Sequence, residues 1–199
     1  MKWEELHYFF SLLSWKESLL DIGCGSGRLI SCYKDYFWFF PSSYIWIDAS
    51  KELLSEAIYA FPDFSFLEAE MQLVKNYIFP CSVDVVFLIA SFHHLSNYEE
   101  RIQTLKSVHN ILKDGWRIFM TNWDLQSPVN FEKYQSSLIL WSQNEYGSQD
   151  FSVKIGKYTR YYHSFHILEL QSLALESWFT IEENRLFESQ RNTITILSK

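Results

Sequence analysis

Three glycines at alternate positions, Gly23, Gly25 and Gly27, lie in the stretch LLDIGCGSGR, between an apolar run and a segment that can form a helix. Glycines so spaced let backbone come close to a bound molecule and accept the left-handed conformations of a tight strand-to-helix turn. A dinucleotide loop reads G-x-G-x-x-G and sets a pyrophosphate on a helix N-terminus. Here the third glycine comes one residue early, and no Gly-Lys-Ser/Thr completes a P-loop. Asp21, two residues before Gly23, would repel a pyrophosphate and suits an ammonium or sulfonium.

Two more acidic residues follow. Asp48 ends the next strand-like run, and an acid about 20 residues past such a loop accepts both hydroxyls of an adenosine ribose. Glu70 follows the third strand in FLEAEM. Three carboxylates after three successive strands match an adenosine ligand that carries positive charge and no phosphate. S-adenosyl-L-methionine is such a ligand.

In order and spacing, LLDIGCGSGR, IDAS, EAEM, SVDVVFLIASFHHL and ILKDGWRIFMTNW resemble the successive motifs of class I S-adenosylmethionine-dependent methyltransferases. The resemblance spans about residues 18–123. It implies a Rossmann-like α/β fold: a seven-stranded, mostly parallel sheet with an antiparallel last strand and helices on both faces. It also implies that Asp21, Gly23, Cys24, Gly25 and Gly27 line the methionine moiety and sugar edge. Asp48 would hold the ribose with Ala49 beside the adenine, Glu70 and Met71 would flank the base, and Ala90 would approach the methionine by its backbone. Trp46 and Trp116 stand where the family has glycines, and both read as core filling. The short segment before the glycine loop suggests a reduced N-terminal cap.

Further on, TNWDLQS, TRYYHSFHILELQSL and RNTITILSK are similar to segments of tRNA wobble-uridine carboxymethyl methyltransferases. This likeness implies a tRNA substrate contacted by Trp123, Arg160, Tyr161 and Tyr162. In that family a small zinc-binding protein often activates the enzyme, so a partner of that kind is expected. Residues 151–163 hold Lys154, Lys157 and Arg160 and no acid, interleaved with Tyr158, Tyr161 and Tyr162. Basic groups meet phosphates and aromatics stack on unpaired bases. A carboxylate acceptor needs no general base, whereas an amine or hydroxyl needs a proton removed, and His93 and His163 are the candidates for that.

These residues need a scaffold. Strand-like and helix-like runs alternate, which marks an α/β fold. Strands are expected at 18–23, 44–48, 64–69, 83–90 and 116–123, with a late hairpin over about 179–187 and 193–198. VDVVFLIA, apolar on both faces, reads as a central strand. Helices are expected after Ser50, with Leu53, Leu54, Ala57 and Ile58 inward; over about 97–113, opened by a Ser96–Glu99 capping box; and over about 165–177, with Ile167, Leu170, Leu173 and Ala174 inward. One domain over 1–199 carries a substrate-covering insertion at about 124–163, in which a helix from Pro128 puts Phe131, Tyr134, Leu138 and Trp141 in register.

Composition bounds the function. Of 199 residues, 48% are hydrophobic and 19% aromatic, enough for a sizeable core. A net charge of −7 argues against bulk electrostatic binding of nucleic acid and favours a small-molecule acceptor as the alternative to tRNA. No apolar run reaches the roughly 18 residues that span a bilayer, so no membrane association is expected. The first residues read as mature protein and not as a signal peptide. Cys24, Cys32 and Cys81 form no C-x-x-C pair, which points to reduced thiols in the cytoplasm and to no metal site. A non-catalytic scaffold would show a broken loop or lack Asp48, and a nicotinamide oxidoreductase would show the dinucleotide spacing. Neither is seen.

Overall fold

The computed structural model describes residues 3–41 and 43–199. Helix α1 (Glu4–Ser11) leads into β1 (Ser18–Ile22), α2 (Arg28–Phe37), β2 (Ser43–Asp48), α3 (Lys51–Ala60) and β3 (Phe66–Glu68). A 3-10 turn over Met71–Asn76 precedes β4 (Val83–Ile89), and a second, Phe92–His94, precedes α4 (Tyr98–Ile111) and β5 (Leu112–Trp123). Then come α5 (Pro128–Tyr134), β6 (Gln149–Ile155), β7 (Tyr158–Ser164), α6 (Ile167–Glu176), β8 (Thr180–Leu186) and β9 (Asn192–Ser198).

Seven strands form one sheet in the order β3-β2-β1-β4-β5-β9-β8. Pairing is parallel from β3 to β5, and the last strand, β9, runs antiparallel between β5 and β8. This is the expected Rossmann-like arrangement. Its core divides by strand alternation. Leu20, Ile22, Val86, Leu88, Ile118 and Met120 face Ile102, Leu105 and Val108 of α4 and Leu170 and Leu173 of α6. Leu19, Val85, Phe87 and Phe119 face Phe9 and Phe10 of α1, Ile30 and Tyr33 of α2, and Leu54 and Ala57 of α3. Helices on opposite faces leave β1 and β4 adjacent at the point where the strand order reverses. A ligand crevice belongs at the carboxyl ends of those strands.

Several local expectations shift. Helix α4 is capped by Asn97, whose Oδ1 accepts the Glu100 N–H at 2.9 Å, while Glu100 Oε2 accepts the Ser96 N–H at 3.3 Å. The cap sits one residue later than the Ser96–Glu99 pairing, because Asn97 holds the extended backbone an N-cap needs, and the returning carboxylate reaches the residue before the cap. Ile58 and Ile167 are exposed, since their helices bury a narrower stripe than the pattern suggested.

The insertion differs most. Its helix stops at Tyr134, a 3-10 turn follows, Leu138 bridges to Phe151, and Trp141 is fully exposed. The rest is a two-stranded antiparallel sheet, β6 with β7, in which Phe151 pairs with Tyr162 and Val153 with Arg160. Phe151, Val153 and Tyr162 make a small core with Leu125, flanked by Trp123, Tyr134 and Leu138.

Candidate active site

The glycine loop is held from three sides. The N–H groups of Gly23 and Cys24 both donate to the Ile47 carbonyl, at 2.7 and 3.0 Å. Gly25 N–H donates to Asp48 Oδ2 at 2.7 Å, and Ser50 N–H donates to Asp48 Oδ1 at 2.8 Å. Ser91, just past β4, donates its hydroxyl to the Ile22 carbonyl at 2.8 Å. A Cβ on Gly23 would lie 2.3 Å from that of Ser91, so a side chain there would drive β4 from β1.

The loop forms the floor of a cleft of about 660 Å³. Asp21, Gly23, Cys24 and Gly25 line it, with Asp48 and Ala49 from β2 and Glu70 and Met71 after β3. Ala90 closes β4 with a φ of +51°, its N–H held by the Thr121 carbonyl and hydroxyl at 3.0 Å each. Nine of the ten residues expected around the cofactor therefore meet in one space. Gly27 does not line it. With a φ of +89°, Gly27 packs behind the loop, where a Cβ would come within 2.5 Å of Trp46 and 2.8 Å of Phe61. Trp46, fully buried, fills the room that a glycine at its own position would leave.

Asp21 is 1% exposed and accepts the Tyr44 hydroxyl at 3.0 Å. Burial pushes its carboxyl up to about 7 against the pull of Tyr44, and nearby Asp48 raises it further. Such a group seeks a cation to face. Burial also pushes the Cys24 thiol far up, so Cys24 serves as a small apolar lining and not as a nucleophile.

The opposite wall carries His94, Leu95, Arg160 and Tyr161. His94 was not singled out by sequence, because two adjacent histidines give no sign of which one faces the cleft. Its Nδ1 lies 2.9 Å from the Tyr161 carbonyl, which can only accept, so the proton is on Nδ1 and Nε2 keeps a lone pair. Burial holds His94 below the usual histidine range. His93 faces the other way. It is 1% exposed, and its Nδ1 accepts the Trp123 N–H at 3.1 Å. Burial, then the neighbouring histidines, hold it well below the usual range, and its Nε2 has no partner. His93 is thus a neutral, buried residue outside the cleft.

His163 also lies outside the cleft, with Nδ1 2.6 Å from Asp150 and Nε2 2.8 Å from Glu169. Trp123 and Tyr162 stack at 5.0 Å and 12° within the small core under the hairpin. Of the four residues expected to meet substrate, Arg160 and Tyr161 reach the cleft and these two do not. The sequence also gave no sign of Trp3 and Leu6 at the cleft's edge, where Arg28 lies over the Trp3 ring at 4.9 Å.

Known proteins bear on this geometry. A family model described as a methyltransferase domain matches residues 20–118. A protein of Encephalitozoon cuniculi, named as a methyltransferase, is 27% identical over 185 residues, covering 86% of this chain and 77% of its own. Among solved structures, an S-adenosylmethionine-dependent methyltransferase of Methanosarcina mazei superposes with a TM-score of 0.74 at 19% identity, over 96% of both chains. The 1,6-didemethyltoxoflavin-N1-methyltransferase of Burkholderia thailandensis, solved with 1,6-didemethyltoxoflavin and S-adenosylhomocysteine, gives 0.68 at 13% identity, over 99% of this chain and 77% of that one.

Proposed function

Because the chain is an S-adenosylmethionine-dependent methyltransferase of class I fold, we propose that it methylates the carboxymethyl group of a modified wobble uridine in tRNA. The cofactor suits the cleft chemically. A buried carboxylate seeking a cation, a loop open at Gly25, and Asp48 at the end of β2 are what a phosphate-free, positively charged adenosine asks for. When bound, S-adenosylmethionine supplies a methyl group already activated on a sulfonium.

In this account Asp21 answers the positive charge, Asp48 takes the ribose with Ala49 beside the base, and Glu70 and Met71 flank the adenine. Gly23, Gly25, Cys24 and Ala90 bring backbone close. Much of the rate then comes from aligning acceptor and methyl donor, which is the task of the cleft walls. An acceptor carboxylate arrives ionised, so the walls need to hold it and not to deprotonate it.

The observation that carries the substrate proposal is Arg160. It lines the cleft beside Tyr161 and takes part in none of the ion pairs among the described residues. The same hairpin exposes Lys154, Lys157 and Tyr158, a basic and aromatic edge fitted to a nucleic-acid strand. A small activating protein and a cytoplasmic, reducing setting belong to the same proposal. The three cysteines are free, and no helix of the described residues is long and apolar enough to cross a membrane.

A second proposal, a small-molecule acceptor with an N–H or O–H, is favoured by the free Nε2 of His94 at the cleft wall. Methyl transfer from labelled cofactor to total tRNA or to a metabolite extract, followed by nucleoside analysis, separates the two. Label in a base-labile uridine ester supports the first, and label confined to the extract supports the second.

A further inference from the structure

A line of polar contacts runs from the helices to the cleft through the hairpin. Glu169 on α6 is 1% exposed, and its Oε1 accepts from Arg101 of α4 at 3.0 Å. Arg101, itself 5% exposed, is anchored by donating to the Leu95 carbonyl from Nε and a terminal nitrogen at 3.2 and 3.1 Å. The other oxygen of Glu169 meets His163 Nε2 at 2.8 Å, and Asp150 Oδ1 meets His163 Nδ1 at 2.6 Å. The same Asp150 oxygen accepts the Tyr161 hydroxyl at 2.7 Å. The Tyr161 carbonyl, in turn, accepts the proton of His94 Nδ1.

An ionised carboxylate can only accept, so each contact of His163 needs a proton on the ring. Burial pushes both carboxyls up, yet the His163 hydrogen bonds keep Glu169 at about 2 and Asp150 below its usual range, so both remain acceptors. Two cations, Arg101 and His163, then balance two anions, with Arg101, His163 and Glu169 buried and Asp150 partly exposed, the arrangement in which buried charges are tolerated.

We propose that His163, as an imidazolium clamped between Asp150 and Glu169, is a positioning residue. It holds β7 against the body of the protein so that Tyr161 selects the His94 tautomer with a free Nε2 and Arg160 is presented to the cleft. The proposal holds for either acceptor, because it concerns the wall and not the molecule that meets it. His163 is faced by Asp150 from β6, Glu169 from α6, Arg101 from α4, Tyr161 from its own strand and His93 from the turn after β4. An adjoining cavity of about 400 Å³ adds Tyr98, Glu145 and Tyr146. Loss of the ring proton would turn a lone pair onto a carboxylate and leave the cluster with net negative charge, which loosens the strand.

The test is nitrogen NMR of the histidine rings in the full chain at neutral pH. The wild type should show His163 protonated on both nitrogens and His94 protonated on Nδ1 only. In His163→Gln, His94 should shift toward the Nε2–H form. Amides 158–164 should exchange at least about tenfold faster, while affinity for S-adenosylmethionine stays within about twofold, as for a distant site. Should that variant not fold, raising the pH of the wild type until His163 loses a proton must produce the same change at His94. A bare ring nitrogen on His163 at neutral pH overturns the proposal. So does a His94 tautomer that ignores the state of His163, or a loss of cofactor affinity as large as the change in the hairpin, since that marks general structural support.

Discussion

The Tyr44 hydroxyl donates to Asp21 Oδ2 at 3.0 Å in a site with almost no solvent, and it is the only side chain that hydrogen-bonds this carboxyl among the described residues. One neutral donor does not offset burial, so the carboxyl stays protonated up to about pH 7 in the folded chain, against 3.8 ordinarily. Between these values the native state binds the extra proton, and Asp21's contribution to stability falls as pH rises from about 4 to about 7, then levels. The displacement corresponds to roughly 4 kcal/mol. Asp21→Asn should therefore melt higher than wild type at pH 8, with the gain vanishing toward pH 4. A melting difference independent of pH would contradict this.

The same residue couples the cofactor to protons. A cation arriving beside Asp21 favours its ionised form, so binding below pH 7 should release a proton. Affinity for S-adenosylmethionine should climb with pH up to about 7 and then flatten. Calorimetry in buffers of different ionisation enthalpy reads the proton directly, and identical heats across buffers at pH 6 would remove Asp21 from the cofactor site.

Two glycines of one loop should fail differently. Gly27→Ala forces a Cβ against Trp46 and Phe61 at positive φ, and should cost about 2–4 kcal/mol of stability. Gly25→Ala finds no atom nearer than Leu53 at 3.9 Å, so it should cost about 1–2 kcal/mol for its left-handed backbone while blocking the cofactor's approach. Thermal melts and cofactor titrations should thus rank the two variants in opposite order. The same order in both assays would mean that the cofactor does not approach the loop at Gly25.

The adjacent histidines should also separate. His93→Phe removes the acceptor of the part-buried Trp123 N–H and should cost about 1–3 kcal/mol. His94→Gln should leave stability nearly unchanged and lower turnover on a carboxylate acceptor less than about tenfold. A loss of about 10²–10⁴ would identify His94 as a general base and favour the small-molecule acceptor.

Arg160→Ala should weaken tRNA binding, reduce the salt dependence by about one phosphate contact, and leave cofactor affinity unchanged. Equal weakening of both ligands would mean that the hairpin, and not a phosphate or carboxylate contact, had been lost.

The cofactor side of the cleft could be read from the sequence because each part sits at the end of a strand whose apolar pattern is plain. VDVVFLIA announces a central strand, and the loop glycines and Asp48 follow from strand ends. Gly27 could not be separated from Gly23 and Gly25, because its constraint is the distant side chain of Trp46. The acceptor side was harder. Phe151 and Val153 alternate with Ser152 and Lys154 before Gly156-Lys157, a hairpin signature obscured by the aromatic spacing upstream of it. Without the hairpin, nothing in RYYH tells that Tyr162 turns to a small core, His163 to two carboxylates, and only Arg160 and Tyr161 to the cleft.

The cleft takes a phosphate-free, positively charged adenosine cofactor. Isothermal titration of the folded protein with S-adenosylmethionine and, separately, with NAD tests this most directly. Micromolar-range binding of the first, weakened by about 1.5–3 kcal/mol in Asp48→Ala, and none of the second is the predicted result. Folded protein that ignores S-adenosylmethionine, or binds NAD as well, would contradict it.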